Sequence, residues 1–179
     1  MEGAGEFVLP TLNFLTYVGI GCIVLGVLLI LGILKGNAGV VGNILGGVAV
    51  IAVGIFVITL KYPGKITIEP DHLVLKVPLY KAKLIEEAAI RRIWIEDLDN
   101  SAWRPVRKTS GSNFGKVRSG WFRLKNGRKA FLVLYGMKAI CIEMDGGQLF
   151  LLGMKDFDRF EEAVRLNIPQ LSPVGVPIK

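Results

Sequence analysis

Two patterns of apolar and polar positions divide this chain. From Phe7 to Leu34 no side chain is charged, and from Gly36 to Leu60 none is either. About 20 apolar residues are enough to cross the hydrocarbon core of a bilayer. Each run therefore predicts a transmembrane helix, over about 9–34 and 38–60. Soluble helices of that length carry a polar face, which neither run has. The break Lys35-Gly36-Asn37-Ala38-Gly39 suits a helix C-terminus and a turn, so the expectation is an antiparallel hairpin with both ends on one side. The acidic opening Met-Glu-Gly-Ala-Gly-Glu lacks the basic region of a signal peptide.

After Lys61 the apolar period becomes two. Ile66 and Ile68 alternate with Lys65, Thr67 and Glu69, Pro70-Asp71-His72 makes a turn, and Leu73, Leu75, Val77 and Leu79 then share one face. Ile93 and Ile95, then Phe122 and Leu124, alternate with polar or aromatic neighbours. Asn126-Gly127 is a hairpin signal ahead of the strand Lys129–Tyr135, and Asp145-Gly146-Gly147 is another between Ala139–Met144 and Gln148–Leu152. The reading is about seven short antiparallel strands. Phe157, Phe160 and Val164 at i, i+3 and i+7 predict one closing helix, with Asp156 and Asp158 at its start and Asn167-Ile168-Pro169 at its end. The expected divisions are a tail over 1–6, a helical hairpin over 7–62, a β domain over 63–168 and a tail over 169–179.

Charge sharpens that division. Only Glu2, Glu6 and Lys35 of the first 60 residues are charged, although the whole chain of 179 carries 22 Lys and Arg against 15 Asp and Glu. The high mean hydropathy of +0.48 thus averages a membrane segment with an ordinary soluble domain. That excludes a disulfide scaffold, a disordered chain and a collagen-like chain. Lys61, Lys65 and the basic domain follow the second span, with only Lys35 on the other side, so both termini and the β domain are expected in the cytoplasm of an integral membrane protein. Gly42 and Gly46 make a small-xxx-small step for helix packing, within the hairpin or between copies. No ionisable group lies deep in either span, which argues against a transporter and for an anchor.

Candidate chemistry is sparse. His72 is the sole histidine and sits in a turn, and Cys22 and Cys141 have no partner at metal or redox spacing. Glu86-Glu87 and Glu161-Glu162 diverge as neighbours, and no phosphate loop or Gly-x-Ser-x-Gly is present. No catalytic residue, metal site or cofactor is expected, and no enzyme. The informative feature is a stretch between Asp99 and Glu143 that holds no acid and ten bases. Its candidate anion-binding residues are Arg104, Arg107, Lys108, Lys116, Arg118, Arg123, Arg128 and Lys129, with Trp121 among them; Lys125 and Lys138 complete the ten. Part lies in Arg104–Gly120, read as a long Gly/Ser-containing connection. Either this is a solvated basic loop, or it meets anionic lipid head groups or an acidic protein. Trp103, Phe114 and Trp121 could seat at the interface. No helix-turn-helix or RNP-type pattern points to nucleic acid.

Several segments carry a family resemblance. Ile66-Thr67-Ile68-Glu69-Pro70-Asp71-His72-Leu73-Val74-Leu75-Lys76 and Lys83–Ile90 resemble the opening of prokaryotic PH-like domains. Gly120–Leu124 with Asn126–Ala130 resembles their middle, and Asp145-Gly146, Leu151-Leu152, Lys155-Asp156 and Phe160 resemble their end. The likeness covers about 65–167. It implies a bent, partly open β-barrel plugged by one C-terminal helix, beside membrane spans, with no common catalytic activity. Eukaryotic PH domains that bind phosphoinositides place bases around the first hairpin loop; here that loop is the acidic Glu69-Pro70-Asp71-His72, so such specificity is not implied. The functional expectation is a membrane-anchored binding or assembly module that contacts anionic membrane lipids or forms a homo-oligomer through strand edges. The alternative is a regulatory subunit that grips a membrane protein partner.

Overall fold

The computed structural model describes residues 5–11, 13–31, 39–59 and 64–168. They fall into two compact units, residues 11–62 and residues 1–10 with 63–179. The expected Lys35-Gly36-Asn37 turn and the 169–179 tail lie outside the described residues.

The first unit is a pair of helices, α1 (Asn13–Ile30) and α2 (Gly39–Thr59). Both are long and apolar enough to cross a membrane, and only 17% and 11% of their apolar windows are buried. Their side chains therefore face outward, unlike those of a soluble core helix. The helices run antiparallel. Gly19 lies against Gly54 and Ile58, and Gly26 against Gly47 and Ile51. Seven residues are close to two helical turns, so each glycine pair shares one stripe. A Cβ on Gly26 would stand 2.6 Å from Ile51 Cγ1 and 2.7 Å from the Gly47 carbonyl. The close approach thus uses Gly19, Gly26, Gly47 and Gly54. Of the expected pair, Gly42 is half-buried, and a Cβ on Gly46 would meet nothing within 4 Å.

In the second unit, β1 (Gly5–Val8), β2 (Lys65–Glu69), β3 (His72–Lys76) and β4 (Lys83–Glu86) form one antiparallel sheet in that order. A single turn of 3-10 helix, Glu87–Ala89, leads to the second sheet. This contains β5 (Ile90–Asp97), β6 (Pro105–Phe114), β7 (Val117–Leu124), β8 (Lys129–Tyr135), β9 (Lys138–Met144) and β10 (Leu149–Gly153). Its order is β5-β9-β10-β8-β7-β6. Helix α3 (Phe157–Asn167) follows, capped by the Asp156 carboxylate, which accepts from the Arg159 amide.

Among the described residues there are ten strands, against about seven expected, in two sheets that do not close. β10 pairs in parallel with β8, so the pairing is not wholly antiparallel. The end of the expected 1–6 tail and the start of the expected hairpin fall in a strand: Gly5–Val8 pairs with β2 from Gly5 opposite Ile68 to Val8 opposite Lys65. The helical pair is thus inserted between two neighbouring strands. Glu6 and Lys65 form an ion pair at 2.7 Å, Phe7 stacks edge-on against Phe160 of α3 at 5.2 Å, and Leu9 is 1% exposed. Most of the supposed connection Arg104–Gly120 is the hairpin β6–β7.

Leu79 also departs from expectation. Alternation puts it on the face of Leu73 and Leu75, which are fully buried, yet it is 74% exposed. β3 ends at Lys76, and the Tyr80 amide bonds the Val77 carbonyl at 3.1 Å, closing a Val77-Pro78-Leu79-Tyr80 turn. Proline suits the first central position, and the second needs positive φ, usually glycine or asparagine. Leu79 takes it with φ of 69°. A bulky L-residue there costs about 1–2 kcal/mol.

Two substitutions check this architecture. Leu9→Ala, ahead of the first apolar helix, destabilises the β unit by about 2–5 kcal/mol, as expected for a fully packed leucine, in denaturant unfolding of the detergent-solubilised chain. Gly26→Val lowers the melting temperature in mild detergent through overpacking of about 1–3 kcal/mol, whereas Gly46→Val stays within about 0.5 kcal/mol of the parent.

Candidate functional site

The six-stranded sheet is apolar on both faces at its centre. β8 and β10 are buried along nearly their whole length, and so is most of β9. On one face Phe122, Leu124, Ala130, Leu132, Cys141, Leu149 and Leu151 pack with Leu98, under Trp94, Trp103 and Met137. On the other, Phe131 meets Phe150, Trp121 and Tyr80 edge-on at 6.2, 5.3 and 5.5 Å. Charge is therefore confined to the sheet's margin, where β6 is the edge strand.

The register brings three of the candidate cations into a row. Arg107 of β6 stands opposite Arg123 of β7, which stands opposite Lys129 of β8. Opposed residues in antiparallel strands share a face with Cβ atoms about 4.5–5.5 Å apart, and like charges so placed repel. All three are exposed, and none makes a hydrogen bond or ion pair among the described residues. Trp121, two residues along β7, lies on the same face, with Lys83 of β4 5.7 Å above its ring.

Other candidates have structural employment. Arg128 pairs with Glu143 at 2.7 Å, donates to the Gly147 carbonyl and stacks 5.5 Å from the centre of Trp103. Trp103 in turn packs edge-on against Trp94, whose Nε1 donates to Glu96. Arg118 donates to the Gly136 carbonyl and to Met137 Sδ. Burial, and then the nearby Arg104 charge, pull its pKa below the usual arginine value, while Asp99 opposes them. Arg104 braces its own loop by donating to the Asp99 carbonyl. Lys116 is exposed near the β6–β7 turn, and Lys108 stands opposite buried Phe122, on the other face from the row. The nine candidates are thus not one patch. Sequence reasoning missed Lys83 and the Val77–Tyr80 turn, which only the packing of the two sheets brings beside Trp121.

That packing depends on a pair of glycines. Gly111 and Gly120 face each other across β6 and β7 with φ of 123° and 104°. A Cβ on Gly120 would lie 2.5 Å from the Ser110 carbonyl and 3.1 Å from Tyr80 Oη. The bare backbone leaves room for the Tyr80 hydroxyl, which donates to Ser110 Oγ at 2.5 Å.

Chemistry beyond charge is thin here. Among the described residues no group of three or more His, Cys, Asp or Glu could hold a metal ion. His72 opens β3, 3.2 Å from the Glu69 carboxylate. Cys141 is fully buried, and burial, reinforced by Glu96, pushes its thiol pKa well up. No family model, curated protein or solved structure matches this chain.

The thiol gives a prediction with a definite sign. Its folded pKa is raised, so above about pH 8.5 the unfolded chain releases a proton that the folded chain keeps, and stability falls as pH rises. Cys141→Ala removes that slope between pH 8.5 and 10, read by denaturant unfolding. In a Cys22→Ala background Cys141 reacts with maleimide only after unfolding.

Proposed function

We propose that this protein is a membrane-anchored, non-catalytic binding module. In this reading α1 and α2 span the bilayer, the β unit lies on the cytoplasmic side, and the margin of β6, β7 and β8 holds phosphates of anionic lipid head groups. The observation that carries it is the unneutralised row Arg107–Arg123–Lys129. A fold selected for stability alone would place an acid opposite one of these bases. A phosphate between two of them turns the repulsion into attraction. Each cation contributes about 1 kcal/mol at an anionic leaflet. That is little for a free domain, but a tether raises the effective lipid concentration to the order of mM.

The basic-surface reading is favoured over gripping a protein, or a second copy, along the β6 edge. β6 bulges between Pro105 and Arg107 and again between Lys108 and Ser110, which interrupts the ladder a partner strand would need. The two sheets followed by α3 support the PH-like assignment, from which the parallel β8–β10 pair and the N-terminal β1 are departures.

The test uses the full chain in nanodiscs, with Cys22→Ala and an environment-sensitive fluorophore on Thr109→Cys, an exposed position at the second bulge. Discs of anionic lipid shield the fluorophore from an aqueous quencher at low salt, and neutral discs do not. High salt, or the triple change Arg107→Gln, Arg123→Gln and Lys129→Gln, restores quenching. Equal quenching in both lipids refutes the reading, and salt-insensitive shielding that needs an added protein transfers it to the regulatory-subunit alternative.

A further inference from the structure

Leu79 is an exposed leucine in a turn position that favours glycine. It contributes nothing to the core and strains the backbone, so stability does not account for it. Strain of this kind is kept where the surroundings impose it and a site uses it. Here the surroundings are specific. The neighbouring Tyr80 is fixed by its ring against Phe131 and by its hydroxyl on Ser110, which stands opposite Trp121. The turn is thus fastened to the strands that carry the cation row. Lys81 is exposed beside it, and Lys83 lies over Trp121. One surface therefore holds an apolar tip, an aromatic ring and at least four cations, Lys83, Arg107, Arg123 and Lys129, without a paired acid among the described residues.

We infer that Leu79 is a wedge that enters the head-group layer of an anionic bilayer while the adjoining cations hold its phosphates. The inference rests on the lipid reading above and adds to it a point of insertion. Charge selects the occupant. An apolar tip ringed by bases fits a surface that is negative at its phosphates and apolar just beneath them. The type II turn presents the side chain outward on a rigid base, so little freedom remains to be lost on insertion.

The experiment labels Leu79→Cys in the Cys22→Ala full chain with the same fluorophore and reconstitutes it in nanodiscs. In anionic discs its emission shifts to the blue, and lipids spin-labelled on the upper acyl chain quench it; in neutral discs neither occurs. Two variants without a label at position 79 separate tip from turn, each read at the Thr109 probe. Leu79→Gly relieves the turn and raises the melting temperature in detergent, yet loses shielding in anionic discs. Leu79→Ser keeps the strained turn, does not raise the melting temperature and loses the same shielding. A label at position 79 that stays in water while the Thr109 probe is shielded overturns the wedge and leaves the lipid reading standing. Failure of both probes overturns both. Shielding of the position-79 label only when a protein is added also overturns the wedge.

Discussion

The β unit is organised by the double-sided burial of β8, β9 and β10. Strands buried on both faces read as continuous apolar runs, and here Phe131-Leu132-Val133-Leu134 and Leu149–Leu152 are such runs. Trp94, Trp103 and Met137 pack over one face, and on the other Tyr80 meets Phe131 and Lys83 lies over Trp121. A centre of this kind excludes charge, since an unpaired ion carried into it costs several kcal/mol. The basic residues of this half of the chain are thereby displaced to the strand ends and to the outer pair β6 and β7. Their alignment follows from hydrogen-bond register, which sets Phe122 inward and so sets Arg123 outward between Arg107 and Lys129. The core and the charged margin are two results of one pleat.

Much of the fold was legible in the residues. Alternation located β2, β3, β5 and β7, glycine-containing turns located the hairpins β7–β8 and β9–β10, and the Phe157-Phe160-Val164 spacing located α3. What escaped has physical causes. β6 reads Pro-Val-Arg-Lys-Thr-Ser-Gly-Ser-Asn-Phe, with almost no apolar alternation, because an edge strand exposed to water needs none and two bulges break the period. β1 is four residues long and merges into the apolar run that follows it. The parallel union of β8 and β10 is non-local and leaves no short-range mark. Leu79 misled because a period of two describes strands, and the strand had already ended.

The candidate surface was legible as a compositional bias and not as a geometry. A run of bases without acids says that positive charge accumulates. It does not say which guanidinium will find a carboxylate. Arg128 reaches Glu143, fifteen residues away in sequence, while Arg123 among the described residues stands between Arg107 and Lys129. That difference arises from strand register and from the wrapping of the Trp94–Trp103 corner. Both are tertiary facts. The glycines tell the same story in the helices: Gly46 and Gly47 are adjacent in sequence and differ by a rotation about the axis, and only Gly47 meets the other helix.

The strand that opens the described chain has a kinetic meaning as well. A ribosome delivers Gly5–Val8 about sixty residues before Lys65–Glu69, its partner, emerges, and the cost of closing so long a loop grows only slowly with its length. Throughout that interval the strand has no mate, and the whole of both helices must be made before it can be matched. The last edge of the smaller sheet is therefore zipped only when the polypeptide entering α1 and the polypeptide leaving α2 have been brought together. A helical pair whose two ends stayed apart would leave that seam open. The fold carries, in one short ribbon, a mark that the two ends of the intervening segment have met.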